Sequence, residues 1–272
     1  ENYVSIQHVR QIVLMSLNVL IVEGNNPKDS EVFIRAAKAS CSENLKNVVL
    51  KLDPSTNVTI INPVNDNETN KALKNMNHYN GIIFSGGAMR LNDMTDEIKK
   101  HINFASECFQ HNNKILAICW GLQVCSTAAG GKVAPGKNGA HIGIATEVEI
   151  NENGKKNPIY KNKKLKFNTP AFNFDEVCEL TEGATLLASD KVNNIMGAYF
   201  KSVNSEVWGL QYHPDYEYWQ MINLSNERMG KMIAKEYFKS EEEFKKHIDF
   251  IKSEEKNLDF ENKTHEIKNW LD

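Results

Sequence analysis

A chain of 272 residues with 41% hydrophobic and 25% charged residues can bury a large core, in one large α/β domain or two small ones. A formal net charge of −3 gives no footprint for nucleic acid, and no apolar run reaches the roughly 18 residues needed to span a membrane. Five cysteines, none in a CxxC pair, suit reduced thiols and a cytoplasmic setting better than a disulfide framework.

Residues 1–14 read as an N-terminal extension, with Met15 close to the natural start: apolar residues 12–17 follow Arg10 but run into Asn18 with no small-residue cleavage site. Residues 17–22 form a continuous apolar strand, and Glu23-Gly24-Asn25-Asn26-Pro27 is its loop. A helix is predicted over 30–39, a second strand over 58–61, a short helix over 71–76 and a third strand over 81–84, which turns at Ser85-Gly86-Gly87. Thr95 is a good N-cap, and Ile98, Ile102, Ala105 and Phe109 mark the apolar stripe of the helix behind it. The fourth strand, 115–118, stops at Cys119; Gly121 permits a tight turn, and residues 122–129 continue as a helix up to Gly130-Gly131. Strand, sharp turn carrying a nucleophile, then helix is the geometry of a nucleophile elbow, in which the helix N-terminus favours a thiolate.

The second half predicts strands over 144–150, 164–167, 185–188, 198–200 and 207–211, with a turn at 151–154. His213-Pro214-Asp215-Tyr216-Glu217 follows the last strand, and residues 219–238 read as a long helix. The fold class is therefore α/β: a mainly parallel central sheet flanked by helices, with a smaller antiparallel strand group in the second half. Residues 15–238 make one domain, and 239–272 form a charged helical tail. Phe244, Ile248 and Ile251 lay that tail on the body as an amphipathic helix, or offer it to a partner or a homo-oligomer.

A nucleophilic cysteine needs a base, and the base an orienting group. Of the histidines, His78, His101, His111, His247 and His265 read as surface residues, and His141 lies in a Gly-rich loop. His213 ends an apolar strand, as Cys119 does, and either Asp215 or Glu217 could hold its ring. In an open α/β sheet, functional groups gather at the carboxyl ends of strands.

Ser85-Gly86-Gly87, Cys119-Trp-Gly121-Leu-Gln123 and His213-Pro-Asp-Tyr-Glu217 together resemble the class I (triad) glutamine amidotransferases, in order and spacing, across residues 17–238. The resemblance implies a flavodoxin-like core and cleavage of a γ-glutamyl amide through a thioester on Cys119, releasing glutamate and ammonia or an amine. It implies His213 as base and acid, Gly86 and Gly87 with Trp120 as the oxyanion loop, and Gln123 lining the substrate pocket. No metal or organic cofactor is implied. This sequence departs from the family pattern at Ala117, where Gly is usual, at Asp215, where Glu is usual, and at Asn173, where many members have His. No phosphate loop is present, so a synthetase fed with ammonia would be a separate subunit. Three readings follow: a glutaminase supplying such a partner, a free-standing γ-glutamyl hydrolase, or a non-catalytic subunit of the same fold.

Overall fold

The first half lays down short, mostly apolar strands: those at 18–22, 81–84 and 114–118 are buried over nearly their whole length because both faces are covered, and the one at 57–61, at the sheet edge, leaves Asn57 and Thr59 exposed. In the computed structural model, which describes residues 16–272, these are β1 (Asn18–Val22), β2 (Asn57–Ile61), β3 (Gly81–Phe84) and β4 (Lys114–Ile118). The expected extension over 1–14, and Met15 as the residue close to the natural start, lie outside the described residues. The second half adds β5 (Lys132–Pro135), β6 (His141–Ile142), β7 (Ala145–Ile150), β8 (Lys166–Thr169), β9 (Phe172–Asn173), β10 (Asp175–Glu179), β11 (Thr185–Ser189), β12 (Gly197–Ser202) and β13 (Ser205–Leu210).

A nine-stranded sheet runs β2-β1-β3-β4-β13-β12-β11-β7-β8. The pairs from β2 to β13 are parallel, and those from β13 to β8 antiparallel. The parallel half has the 2-1-3-4-5 order of a flavodoxin-like sheet, with its switch point between β1 and β3. The antiparallel strands extend this same sheet beyond β13. Two short pairs, β5 with β10 and β6 with β9, stand apart from it.

Alternate side chains of each central strand go to opposite faces. Leu20, Ile82, Phe84, Ile115 and Ala117 pack with α3 (Asp66–Lys74), α4 (Asp96–Phe109) and α5 (Trp120–Ala128), while α1 (Pro27–Ala37) and α2 (Cys41–Leu52) precede β2 in the chain. Val19, Ile21, Ile83, Leu116 and Ile118 pack with Leu45 and Val49 of α2 and with Ile267 and Trp270 near the C-terminus. The remaining helices are α6 (Glu152–Lys156), α7 (Tyr218–Ala234), α8 (Glu241–Glu254) and α9 (Phe260–Leu271). Phe244, Ile248 and Ile251 of α8 are buried with Tyr218, Ile222 and Met232 of α7. Trp270 of α9 stands over Gly81, where a Cβ would lie 2.5 Å from the indole. Glu266 of α9 is fully buried and accepts from Tyr212 Oη (2.5 Å) and Lys163 Nζ (3.0 Å).

Several helix bounds differ from the sequence expectation, each for a local reason. α1 begins at Pro27, ahead of residue 30, because Asn26 caps it and proline suits its first turn. Asn65 accepts from the N–H groups of Asn67 and Glu68 and so starts α3 early; the helix covers Asp66–Lys74 and not 71–76. The predicted turn at 151–154 is the start of α6, capped by Asn151. α7 stops at Ala234, short of 238: Glu236 takes a left-handed φ of 60°, and Tyr237 N–H closes back onto the Met232 carbonyl.

Candidate active site

Cys119 leaves β4 with φ 53° and ψ −103°, a positive φ in a residue that is not glycine, and directly precedes α5. That turn is possible because its surroundings are stripped of side chains. A Cβ on Gly121 would lie 2.4 Å from the Phe84 carbonyl oxygen. The backbone of Cys119 is tied to β13 by its N–H to the Leu210 carbonyl (2.7 Å), and Gly121 N–H donates to the Ser85 carbonyl (3.1 Å). The loops after β3, β4 and β13 are thus locked together at one edge of the sheet.

His213 arrives from β13, its N–H held by the Pro170 carbonyl (2.8 Å). Its Nδ1 lies 3.1 Å from Asp215 Oδ1, which leaves Nε2 for the Cys119 sulfur beside it. Burial acts to lower the His213 pKa, but the Cys119 sulfur and the Asp215 carboxylate outweigh it, and the imidazole is raised to about 10. A buried thiol, an imidazole and a carboxylate in this order can form the ion pair that nucleophilic catalysis by cysteine uses. The Tyr216 ring stands edge-on to His213 at 5.0 Å, and Asn44 Nδ2 donates to the Asp215 main-chain carbonyl (2.7 Å).

Glu217, the other candidate for orienting His213, is turned elsewhere. Its side chain caps α7 and meets Lys263 Nζ at 2.5 Å. The structure brings Cys119, His213 and Asp215 together and leaves Glu217 outside.

The Gly86-Gly87 loop closes against the ring and the elbow. A Cβ on Gly86 would lie 2.6 Å from His213 Cε1, and one on Gly87 would lie 2.5 Å from the Gly24 carbonyl oxygen. The loop after β1 fixes it: Gly24 N–H donates to Ser85 Oγ (2.8 Å), and Ala88 N–H donates to Asn25 Oδ1 (2.7 Å). Gly87, Cys119, Trp120 and Gln123 line one cleft of about 370 Å³. Trp120 is the first residue of α5, so its N–H has no partner within the helix. Gln123 Nε2 donates to the Asp175 carbonyl (2.9 Å), joining α5 to β10.

Several neighbours of the sulfur escape a reading of the sequence. Gln211 Nε2 donates to Cys119 Sγ (3.5 Å), and the thiol lies 3.6 Å from the Phe172 carbonyl. Gln211 precedes His213 by two positions, so its place at the end of β13 is the available signal. Asp175 in the cleft wall is held by Arg90 through two contacts, of 3.0 and 2.5 Å, and Asn173 lies in the same wall. Two of the histidines read as surface residues are buried. His101 packs edge-on against Trp120 at 5.8 Å, because its helix turns that face to the core, and His265 is covered within α9. His141, in β6, is engaged by Asn173 (2.8 Å) and Asp190 (2.7 Å).

The same elements recur in known proteins. The glutamine amidotransferase class-I family model matches residues 34–220. A gamma-glutamyl-L-1-hydroxyisopropylamide hydrolase of Pseudomonas sp is 26% identical over 220 residues, which cover 80% of this chain and 74% of that protein. A glutamine-hydrolyzing GMP synthase subunit of Methanococcus vannielii is 29% identical over 159 residues, 58% of this chain and 72% of that protein. Among solved structures, a glutamine amidotransferase from Thermotoga maritima superposes with a TM-score of 0.67 at 16% identity, covering 94% of this chain and 96% of its own; this likeness speaks for the fold. With the family model running from α1 through β2 to β13 and taking in the elbow and the His213 loop, the chain belongs to the class I glutamine amidotransferases.

Proposed function

We propose that the chain hydrolyses γ-glutamyl amides with Cys119 as nucleophile. The observation that carries this reading is the Cys119 sulfur held at a strained elbow beside a His213 ring whose other nitrogen meets Asp215. Sγ attacks the γ-carbonyl carbon, and the oxyanion that forms is met by the N–H groups of Gly87 and Trp120. A donor of this kind is typically worth about 3 kcal/mol in the transition state. The C–N bond breaks as His213 passes a proton to the leaving nitrogen, giving a γ-glutamyl thioester and a free amine, or ammonia when the substrate is glutamine. Water, deprotonated by His213, then attacks the thioester, and glutamate leaves as the thiolate is restored. Gln123 and the Gly86-Gly87 loop shape the pocket around the γ-glutamyl group.

Incubating the chain alone with glutamine, γ-glutamyl methylamide and γ-glutamylputrescine, and measuring glutamate, tests this. Release from at least one, abolished by Cys119→Ala in a protein that melts normally, is expected. Undiminished release by Cys119→Ala would overturn it. The likeness to a GMP synthase component favours a second reading, in which glutamine is cleaved to supply ammonia to a separate synthetase chain. In that case glutamine is turned over only after a partner is added.

A further inference from the structure

The cleft that holds Cys119 has a charged wall whose pairing is unequal. Two of its carboxylates are already engaged: Asp175 by Arg90, and Glu227 by Arg35 through contacts of 3.1 and 3.0 Å. Three cations of the same cleft, Arg228, Lys231 and Lys235, have no carboxylate within salt-bridge distance among the described residues, and Asp29 is the one lining carboxylate left without a cation. Their spacing of three and then four residues puts all three on one face of α7 and its end, the face turned to the cleft.

Arg228 is the fixed member of this row. Its guanidinium lies 4.8 Å from the centre of the Phe172 ring and 5.5 Å from that of Phe33, and it is half-buried. Burial lowers its pKa, but an arginine so placed stays charged and keeps its donors in a rigid fork. Phe172 also supplies the carbonyl beside the Cys119 sulfur, so the stacked guanidinium and the nucleophile share one residue as a wall. Lys231 and Lys235 are exposed at the mouth, where a flexible ammonium attracts but does not position.

Resting on the hydrolase reading above, we infer that the row Arg228, Lys231 and Lys235 receives a carboxylate on the amine side of the substrate, so that the chain prefers γ-glutamyl amino acids and γ-glutamyl peptides to neutral or cationic γ-glutamyl amines. A planar carboxylate matches the fork of Arg228, whereas the ammonium of a polyamine would meet three like charges with Asp29 alone to offset them.

The test uses the full chain and three substrates that share the glutamyl half: γ-glutamylglycine, γ-glutamyl ethylamide (the same shape with a methyl in place of the carboxylate) and γ-glutamylputrescine. The expected kcat/KM is about tenfold higher for γ-glutamylglycine than for the ethylamide, mostly through KM, with putrescine lowest and the spread narrowed by added salt. Arg228→Gln should bring the glycine-to-ethylamide ratio to within about twofold, and Arg228→Lys should restore part of it, with thermal melts checking that each variant is folded. Equal rates in the parent chain, or a preference for putrescine, would overturn the inference while leaving the hydrolase reading intact. So would an Arg228→Gln variant that loses the same factor on all three substrates, since the guanidinium would then be reading the shared glutamyl half. No release from any substrate would overturn the hydrolase reading, and this inference with it.

Discussion

Asp215 reaches the imidazole although it is one methylene shorter than the glutamate usual in the family. The two residues are only two positions apart, Pro214 fixes the backbone between them, and Asn44 ties down the Asp215 carbonyl, so a short side chain suffices at 3.1 Å. Asp215 helps hold His213 protonated; with a folded-state pKa of about 10 against 6.5 in the unfolded chain, the stability this adds is complete below pH 6.5 and is lost as pH rises through about 10. Activity that needs the imidazolium as acid falls over the same alkaline range. Asp215→Asn is therefore expected to lower kcat by about a hundredfold or more and to move the alkaline limb of the kcat–pH profile to lower pH. Glu217→Gln is expected to leave kcat within about twofold but to cost about 1–3 kcal/mol in urea unfolding, because it weakens the partner of the buried Lys263. A profile shifted by Glu217→Gln and untouched by Asp215→Asn would reverse the assignment.

At the scale of elements, α4 and α5 meet through His101 and Trp120, directly under the elbow. Burial lowers His101 to about 4, and its Nε2 has no hydrogen-bond partner among the described residues. Above pH 6.5 the ring is neutral folded or unfolded, and as pH falls from 6.5 to about 4 only the unfolded chain takes up the proton. The shift corresponds to a loss on the order of 3 kcal/mol across that window. Urea unfolding at a series of pH values should show this acid limb, and His101→Phe should flatten it; an unchanged limb in the variant would show that another group carries the loss.

The same elements show what is legible along the chain. Strands 81–84 and 114–118 are buried on both faces, so their apolar runs announce them. Cys119 and His213 stand out because each ends such a run, where a parallel sheet presents its functional groups. α2 is hidden, although Ser40 with Glu43 three residues on is an N-terminal capping signal, because its apolar stripe is broken by Asn44 and Asn47. Asp215 and Glu217 cannot be separated along the chain, since the choice depends on which way two successive turns face. Arg228 has the look of a solvated helix position until Phe33 and Phe172, distant in sequence, close around it.

Over the whole molecule, the C-terminal helices belong to the body that carries the site. α9 covers one face of the parallel sheet with Ile267 and Trp270, and its Lys263 and Glu266 reach Glu217 and Tyr212 on either side of His213. Cys119, His213 and the Gly86-Gly87 loop follow three parallel strands, β4, β13 and β3, so the sheet itself sets their spacing. The measurement that addresses this arrangement most directly is to mix the full chain with glutamine and γ-glutamyl ethylamide, quench in acid within the turnover time, and map the protein by intact mass and peptide mass. One γ-glutamyl group on Cys119, removed by hydroxylamine, is expected, with neither adduct nor glutamate release in Cys119→Ala. A γ-glutamyl group mapped to another residue, or glutamate released at the parent rate by Cys119→Ala, would contradict a nucleophile at the end of β4.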